Sequence, residues 1–268
     1  MDWTTLILEK EAQIRLTIFV GIFSIIAAWE LLLPRRTNVN NKPNRWKNNL
    51  SLAFLNTLLL RFLIPFSAVS VAFSAQNFQL GFLPLLHLSS FFEGLIFFVL
   101  MDLVIYVQHR CFHRTPMLWK IHRVHHTDLE FDVSTGIRFH PLEIFLSIVI
   151  KGIAILIMGP PLVAVVIFEI ALNASSMFNH GNIFIHQTVD RFLRLIIVTP
   201  DMHRIHHSSR HEFFMANFGF NLSWWDYIFK SYKNKTPEPH ESMQIGLEDF
   251  DQFKDQNSLL KILKIPFD

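Results

Sequence analysis

The sequence has little cysteine, tyrosine and glycine: one Cys, three Tyr and nine Gly stand among 268 residues. A single cysteine, Cys111, excludes a disulfide within the chain and fits a reducing compartment. A Rossmann glycine fingerprint, a P-loop, a CxxC pair and a haem-attachment sequence are all missing. The chain therefore carries no sequence signal for a nucleotide site, or for electron transfer through a dithiol or a covalently attached haem.

Charge is scarce as well. Charged residues make up 17% of the chain and the formal net charge is +2, which gives no reason to expect a nucleic-acid partner. Hydrophobic residues reach 51%, phenylalanine alone occurs 28 times, and the mean hydropathy is +0.31. Because this is too apolar for an ordinary soluble domain of this length, the sequence predicts an integral membrane protein.

Long apolar runs predict an all-α membrane bundle of about four to five helices. Three of them, residues 14–33, about 50–73 and about 84–108, are near the roughly 20 residues needed to cross a bilayer. A fourth run, residues 142–178, contains Gly-Pro-Pro at 159–161. It predicts two helices joined by a tight hairpin.

The basic residues predict which face of the membrane the chain exposes to the cytosol. Residues 34–48 contain five Lys or Arg and no acid, whereas residues 74–83 contain neither Lys nor Arg. Basic loops remain in the cytoplasm, which puts this first loop, His109 and the C-terminal part on the cytosolic side. We therefore expect a multi-pass protein of a bacterial inner membrane or the endoplasmic reticulum, with a helical cap that faces the cytosol.

Fourteen histidines are present, and most fall in short boxes. The boxes HRCFH, HRVHHT and HRIHHS contribute His109, His113, His122, His125, His126, His203, His206 and His207. Residues at i, i+3 and i+4 share one face of a helix, so each triple box directs three imidazoles the same way. Thr-Pro pairs at 115–116 and 199–200 precede the triple boxes and predict capped helices that start at 116 and 200.

Two similar sets of ligands indicate a site for two metals. Neutral imidazole suits zinc, copper, iron and nickel, whereas calcium and magnesium prefer oxygen ligands. The boxes contain no carboxylate, which disfavours the carboxylate di-iron site of soluble bundles and the HExxH zinc-protease signature. A solvated basic patch beside the membrane is the alternative, but repeated ligand spacing is rare by chance.

The remaining histidines give weaker signals. His180, at the end of the second hairpin helix, is the best candidate for a ninth ligand. His140 precedes Pro141 and is a candidate ligand, a helix cap or a residue that supports a ligand. His186 and His211 lack helical partners at ligand spacing, so each is expected to support a ligand or to be exposed to solvent. His87 and His240 are isolated in the sequence and are expected to be ordinary residues.

A polar stripe runs along the third span. On a helical wheel Tyr106, His109 and His113 each lie within about 40° of Asp102. A carboxylate in a membrane helix is costly unless it has a partner, so we expect Asp102 to orient a ligand imidazole or Tyr106. A polar contact between packed helices is the alternative. The candidate catalytic residues are Asp102, Tyr106 and His140.

Six motifs follow one another between about residues 90 and 232. They are HRCFH, WKIHRVHH, RFHPLE, NHGN, TPDMHRIHH and NFGFNLSWWDYIFKSY. In these motifs the chain resembles the fatty acid hydroxylase superfamily, which includes sterol desaturases, methylsterol oxidases and alkylglycerol monooxygenase. Three spaced boxes and the Trp-Asp-x-x-Phe element, formed by Trp225, Asp226 and Phe229, are together much more specific than any one alone.

The resemblance implies a helical membrane enzyme whose cytosolic cap holds two metals, usually iron, that activate dioxygen to attack a C–H bond of a lipid. By position, the metal ligands would be His109, His113, His122, His125, His126, His180, His203, His206 and His207. Several members carry a second histidine shortly after the position of His180, where this chain has Asn-Ile-Phe at 182–184. His140 or His186 would then have to compensate.

The leading hypothesis is an oxidoreductase that uses O2 to hydroxylate or desaturate a fatty acyl, sterol or ether lipid from the bilayer. Electrons must come from a separate reductase or electron carrier, and a basic patch is a candidate docking surface for it. The patch comprises Arg110, Arg114, Lys120, Arg123 and Arg138. The alternative is a zinc-dependent membrane hydrolase with Asp201 or Asp128 as its base, because imidazole ligands do not distinguish zinc from iron.

The chain divides into three parts on this interpretation. Residues 1–83 hold the N-terminal spans and the basic loop, residues 84–235 the hydroxylase-like catalytic domain, and residues 236–268 a C-terminal tail. The tail ends in LLKILKIPF, a short amphipathic stretch that we expect to lie on the membrane or on the cap.

Overall fold

The computed structural model describes residue 5 and residues 9–37, 42–64, 66–247 and 258–268. Its helices are α1 (Glu11–Leu32), α2 (Lys42–Leu63), α3 (Ala68–Asn77), α4 (Ser90–Arg114), α5 (Pro116–His126), α6 (Pro141–Met158), α7 (Leu162–Asn179), α8 (Gln187–Leu193), α9 (Pro200–His206), α10 (His211–Phe214), α11 (Trp224–Ile228) and α12 (Leu259–Lys264). The described residues contain isolated bridges but no strand, which confirms the predicted all-α fold. Residues 38–41 of the basic loop and 248–257 of the tail lie outside this description.

Among the described residues, five helical stretches are long and apolar enough to cross a membrane: α1, α4, α6, α7 and Lys42–Asn77. The predicted bundle of four to five membrane helices is thereby confirmed, and the chain is a multi-pass membrane protein. The predicted second span, about residues 50–73, falls within Lys42–Asn77, in which α2 ends at Leu63 and α3 begins at Ala68. The sequence has Pro65 between them, and proline removes a backbone donor and ends a helix.

The predicted hairpin joins α6 to α7. Gly159, which caps α6, has a φ of 64°, a left-handed conformation that glycine adopts without strain. The backbone of the preceding loop also packs directly on this turn, since a Cβ on Gly159 would lie 2.3 Å from Leu80 O. Two separate constraints therefore require glycine here.

The membrane core lies between α3, α4, α6 and α7. Phe97 and Met101 of α4, Ile155 of α6 and Phe168 of α7 are almost completely buried. The rings of Phe97 and Phe168 pack edge to face with centroids 5.9 Å apart. On the outside of the bundle large apolar side chains remain exposed, Phe62 of α2 at 79%, for example. Such an apolar surface suits contact with lipid rather than water.

Buried ion pairs attach a cap to one end of the bundle. Arg45 of α2 donates from Nε and Nη2 to the two carboxylate oxygens of Asp128, at 2.7 and 2.8 Å, and from Nη1 to Asp132 at 2.9 Å. Arg138 donates to the side chain of Asn49, also on α2, at 2.9 Å. Bidentate pairing of this kind fixes position as well as charge, so the segment 128–138 is held firmly on α2.

The C-terminal helix α12 packs on the same cap. Ile262 of α12 is fully buried against Leu52 of α2 and Val124 of α5. The guanidinium of Arg123 donates to the carbonyl of Ile265, just beyond α12. The amphipathic end of the predicted tail thus lies on the cap.

Candidate metal centre

Histidines from four parts of the chain meet beneath the cap. They come from the last turns of α4, from α5, from the residue after α7, and from α9 with the residue that follows it. α5 begins at Pro116 and α9 at Pro200, as predicted. The hydroxyl of Thr199 accepts the N–H of Met202 at 3.3 Å, whereas Thr115 occupies its cap position without a side-chain capping bond.

The nine histidines form two groups, and within each group the candidate ligand atoms all lie within 4.8 Å of one another. The five-histidine cluster consists of His109, His113, His122, His126 and His206. The four-histidine cluster consists of His125, His180, His203 and His207. The clusters adjoin, because the rings of His126 and His207 stack with centroids 4.4 Å apart. This confirms a histidine-rich cluster able to bind metal, while the role of each residue as a ligand remains a proposal.

The Nε2 nitrogens of both clusters are placed to bind metal. Nε2 of His180 lies 3.0 to 3.1 Å from Nε2 of His125, His203 and His207, so four imidazole nitrogens converge on one point. In the five-histidine cluster four buried Nε2 atoms have no hydrogen-bond partner: those of His113, His122, His126 and His206. Burying so many polar atoms without a partner is costly, and coordination to a cation removes that cost. A set made only of nitrogen donors suits zinc, copper, iron or nickel.

Backbone carbonyls fix the orientation of several imidazoles. The Nδ1–H of His109 donates to Phe218 O at 2.9 Å, and that of His125 donates to Arg138 O at 3.2 Å. The Nδ1–H of His180 donates to Ser176 O and that of His206 donates to Ala216 O, both at 2.7 Å. A donor role for Nδ1 leaves Nε2 as the free acceptor, which is the arrangement that metal-binding histidines use. The tautomer that presents Nε2 to a metal is therefore set by the fold.

Burial favours the neutral form of five histidines in the clusters by lowering their pKa. Burial, and then the neighbouring imidazoles, lower the pKa of His125, His203 and His207 well below the ordinary value. Burial also lowers the pKa of His180 to about 4 and that of His206 to about 3. A neutral imidazole is the form that binds a metal.

One carboxylate supports the site directly. Nδ1 of His122 lies 2.7 Å from Oε1 of Glu143, which is in the first turn of α6. The other oxygen of Glu143 is buried without a hydrogen-bond partner. In the sequence Glu143 ends the motif RFHPLE, which by itself does not indicate a contact with His122. A carboxylate that holds the outer nitrogen of a ligand imidazole fixes its orientation and raises its basicity.

Asp102 does not orient an imidazole or Tyr106, which corrects the prediction. Its carboxylate accepts hydrogen bonds from the backbone and side chain of Asn221, from the backbone of Leu222 and from Nε1 of Trp225, at 2.8 to 3.2 Å. The alternative of a polar contact between packed elements is the better description. Asp102 fastens the 221–225 segment to α4.

Tyr106 belongs to a second polar chain. Its hydroxyl lies 2.7 Å from Oγ of Ser231, and Ser231 donates to Asp226 at 2.7 Å. Asp226 also accepts the backbone N–H groups of Phe218 and Gly219, at 2.8 and 2.7 Å. Burial raises the pKa of Asp226 to about 6. Because Phe218 O accepts from His109, this chain links Tyr106 indirectly to the cluster.

His140 and His186 do not complete the histidine clusters. His140 caps α6, accepting the N–H of Leu142 on Nδ1 at 3.2 Å, and its Nε2 lies 3.3 Å from Leu263 O. His186 caps α8 in the same way and is exposed. Of the three roles considered for His140, the helix cap is the one that the structure supports, and its predicted catalytic role is not supported by these contacts.

Asp128 and Asp201, the predicted bases of the alternative hydrolase, are both bound by arginine side chains. Arg45 and Thr135 bind Asp128, and Arg35 and Arg204 bind Asp201. These partners hold the pKa of both carboxyl groups below its usual range although burial opposes the shift, so neither is a free base for a hydrolase.

The proposed basic patch is smaller than predicted. Arg138 is buried and donates to Val124 O and Asn49, so it cannot contribute to a docking surface. Arg123 and Lys120 contact the carbonyl of Asp268 at the end of the chain.

A cavity of about 370 Å³ opens onto the clusters. His109, His122, His125 and His203 line one end of it, together with Glu143. Membrane helices α1, α2, α4, α6 and α7 supply the remaining walls. The cavity therefore connects the space between the membrane helices with histidines of both clusters.

The part of the chain that carries the nine cluster histidines is similar to known proteins. The sequence model of the family described as Fatty acid hydroxylase matches residues 94–231. The ornithine lipid hydroxylase OlsE of Rhizobium tropici is 25% identical over 236 residues, which are 86% of this chain and 70% of that protein. The alkylglycerol monooxygenase of Homo sapiens is 24% identical over 59% of this chain, and that of Danio rerio 29% identical over 50%. These matches cover only 35% and 29% of the two monooxygenases. No solved structure matches the chain.

Proposed function

The chain belongs to the fatty acid hydroxylase family, and from this premise we propose that it is a membrane-bound di-iron oxidoreductase that uses O2 to hydroxylate a C–H bond of a membrane lipid. The observation that carries the proposal is the pair of adjoining, buried clusters of nine imidazoles at the end of a membrane bundle. The names of its relatives, an ornithine lipid hydroxylase and alkylglycerol monooxygenases, support a lipid substrate. Desaturation of the same lipid is the finer alternative, since both reactions begin with removal of hydrogen.

The five-histidine cluster would hold one iron and the four-histidine cluster the other. Iron bound there supplies the redox chemistry that activates dioxygen, and imidazole ligands suit it. The chain itself contributes neutral imidazoles in fixed tautomers, held by Phe218 O, Ser176 O and Glu143. The fully buried cluster residues and the overlying cap exclude bulk water, and the cavity admits an apolar chain from the bilayer.

Two further assignments complete the proposal. The cap faces the cytosol, because the first loop is basic and basic loops remain cytoplasmic. The electrons come from a separate reductase or carrier, which binds on that face.

The test is turnover of the purified full-length protein with isotopically labelled dioxygen, a chemical reductant and total membrane lipid. We expect bound iron and labelled oxygen in a hydroxylated lipid, or an unsaturated lipid formed only when O2 is present. Turnover without O2, or oxygen taken from water, would instead identify the zinc-dependent hydrolase.

Two variants compare a histidine of the four-histidine cluster with a histidine outside both clusters. His180→Asn removes a nitrogen at the centre of the four-histidine cluster, so metal content and turnover should both be lost. His186→Asn keeps a side-chain acceptor at the cap of α8 and should leave both unchanged. Equal metal content in the two variants would contradict the assignment of His180.

A further inference from the structure

Three charged side chains meet inside the membrane bundle, away from the histidines. Nζ of Lys151 on α6 lies 2.6 Å from Oε1 of Glu169 on α7. Nη2 of Arg15 on α1 lies 3.2 Å from the other oxygen of Glu169, and its Nη1 lies 2.9 Å from Glu11. All of these residues belong to helices that can cross the membrane. Ionisable groups in such helices are costly and mark functional sites more often than chance.

The same three residues line the cavity that leads to the metal centre. Arg15, Lys151 and Glu169 form one end of it, and the histidines and Glu143 form the other. Lys151 follows Glu143 by eight residues on α6, a rise of roughly 12 Å at 1.5 Å per residue. A second cavity of about 260 Å³ shares Arg15 with the first and continues between α1 and α7. The charged end of the cavity is thus joined to a space beside the lipid-facing helices.

Cations outnumber carboxylates at the charged end of the cavity. Arg15, Lys151 and Glu169 line this end, whereas the other lining carboxylate, Glu143, lies beside His122 and Glu11 is not among the lining residues. An ammonium carries three donors and a guanidinium five, so the contacts with Glu169 and Glu11 leave N–H groups for a ligand. A carboxylate or phosphate offers the oxygen acceptors that such donors bind best.

We propose that Lys151 and Arg15 bind the anionic end group, a carboxylate or a phosphate, of a lipid whose hydrocarbon chain extends along the cavity to the histidine clusters. The lipid is the substrate, so this inference rests on the proposed function. The anchored end fixes how far the chain reaches toward the metals. The carbon that reacts is therefore counted from the anionic end, and it stays the same when the chain is lengthened.

Binding of palmitate to the purified, metal-loaded protein without reductant tests the anchor separately from turnover. The comparison probes are its methyl ester, which has the same chain without the charge, and inorganic phosphate, which has the charge without the chain. We expect the protein to bind palmitate at least tenfold more tightly than the ester, and inorganic phosphate not to displace it. Equal affinity for the ester, or displacement by phosphate at equal concentration, would overturn the proposal.

The variants remove the anchor without leaving an unpaired charge. Lys151→Met combined with Glu169→Met replaces the buried ion pair by apolar side chains, an exchange that proteins often tolerate. We expect the double variant to keep its thermal unfolding midpoint and metal content, to lose tenfold or more of its affinity for palmitate, and to bind the ester as before. Lys151→Arg keeps the charge and should keep the preference for palmitate. Unchanged affinity for palmitate in the double variant would leave the three residues as a link between helices only.

Gln76→Leu provides the matched control. Gln76 on α3 donates to Pro160 O at 3.1 Å, which is also a polar contact between membrane helices but outside the cavity. This variant should bind palmitate as the wild type does, and a loss equal to that of the double variant would overturn the assignment. Selective palmitate binding in a protein without O2-dependent turnover would contradict the proposed function while leaving the anchor in place. O2-dependent turnover without any preference for palmitate over its methyl ester would contradict the anchor while leaving the proposed function in place.

Discussion

A single carboxylate decides how one ligand of the proposed metal centre is held. Glu143 lies 2.7 Å from the outer nitrogen of His122. Removing such a partner typically costs 10–100-fold in metal affinity, about the loss that we expect for Glu143→Ala in a chelator competition. Glu143→Gln keeps an oxygen acceptor at the same place and should lose less. The reason is geometric: the imidazole loses its orientation although all nine histidines remain.

His140 is the control for that measurement, because it lies three residues earlier in the chain. His140→Asn retains a side-chain acceptor for the N–H of Leu142, so α6 should stay capped and the metal affinity unchanged. A loss of metal equal to that of Glu143→Ala would restore His140 as a candidate ligand.

The partly buried His240 predicts how stability depends on pH. Burial lowers its pKa to about 4, although Asp201 lies 3.7 Å away and favours the charged form. In the unfolded chain a histidine titrates near pH 6.5. Between these values the unfolded state binds more protons than the native state, so the free energy of unfolding falls as the pH falls from about 6.5 to about 4. His240→Gln should lessen this fall, measured as the thermal unfolding midpoint at several pH values, whereas exposed His211→Gln should not.

At the scale of elements, Asp102 joins a membrane helix to the loop that carries the carbonyl partner of a ligand. It holds Asn221, Leu222 and Trp225, and Phe218 O, shortly before them, accepts from His109. Asp102→Ala leaves several buried donors without a partner, at about 1–3 kcal/mol each. We expect a thermal unfolding midpoint lower by several degrees and, because the loop loosens, less bound metal. Asp102→Asn keeps part of the network and should show a smaller change.

The opposite pattern would revive the role predicted from the helical wheel. If Asp102→Ala kept its unfolding midpoint but lost all turnover, the carboxylate would act on the reaction and not on the loop. The wheel placed Asp102 and Tyr106 on one face correctly, but a wheel describes one helix only. Their partners, Asn221, Trp225 and Ser231, lie more than a hundred residues later in the chain, where a single-helix pattern carries no information.

The sequence was most informative where a local pattern has a local cause. Ligand spacing on a helix and Thr-Pro helix starts located the histidines, and the Gly-Pro-Pro turn located the hairpin. Hydropathy located the second span but does not mark the boundary between α2 and α3, since the apolar residues continue past Pro65. The burial of Arg138 was missed for another reason: its partner Asn49 is 89 residues away in the sequence. Charged residues inside apolar spans, such as Lys151, are a further signal of functional positions in the sequence.

At the scale of the whole molecule, the metal centre depends on how the bundle, the cap and the C-terminal helix pack together. α5 carries three of the nine histidines, and its Val124 packs against α2 and α12 on the face opposite the cluster. α12 therefore stabilises α5 without contributing a ligand. Ile262 is the side chain through which it does so, since it is fully buried while its neighbour Leu260 is 72% exposed.

Truncation of Ile262 tests this dependence. Ile262→Ala should destabilise the cap by about 2–5 kcal/mol, the usual cost of removing a large buried side chain. Leu260→Ala removes a side chain of the same size from an exposed position and should change stability by less than about 0.5 kcal/mol. Thermal unfolding of the two purified variants, followed together with the release of bound metal, gives the comparison. If α12 braces α5, metal is released at a lower temperature in Ile262→Ala only; release at the same temperature in both variants would show that the histidine clusters hold the cap together without it.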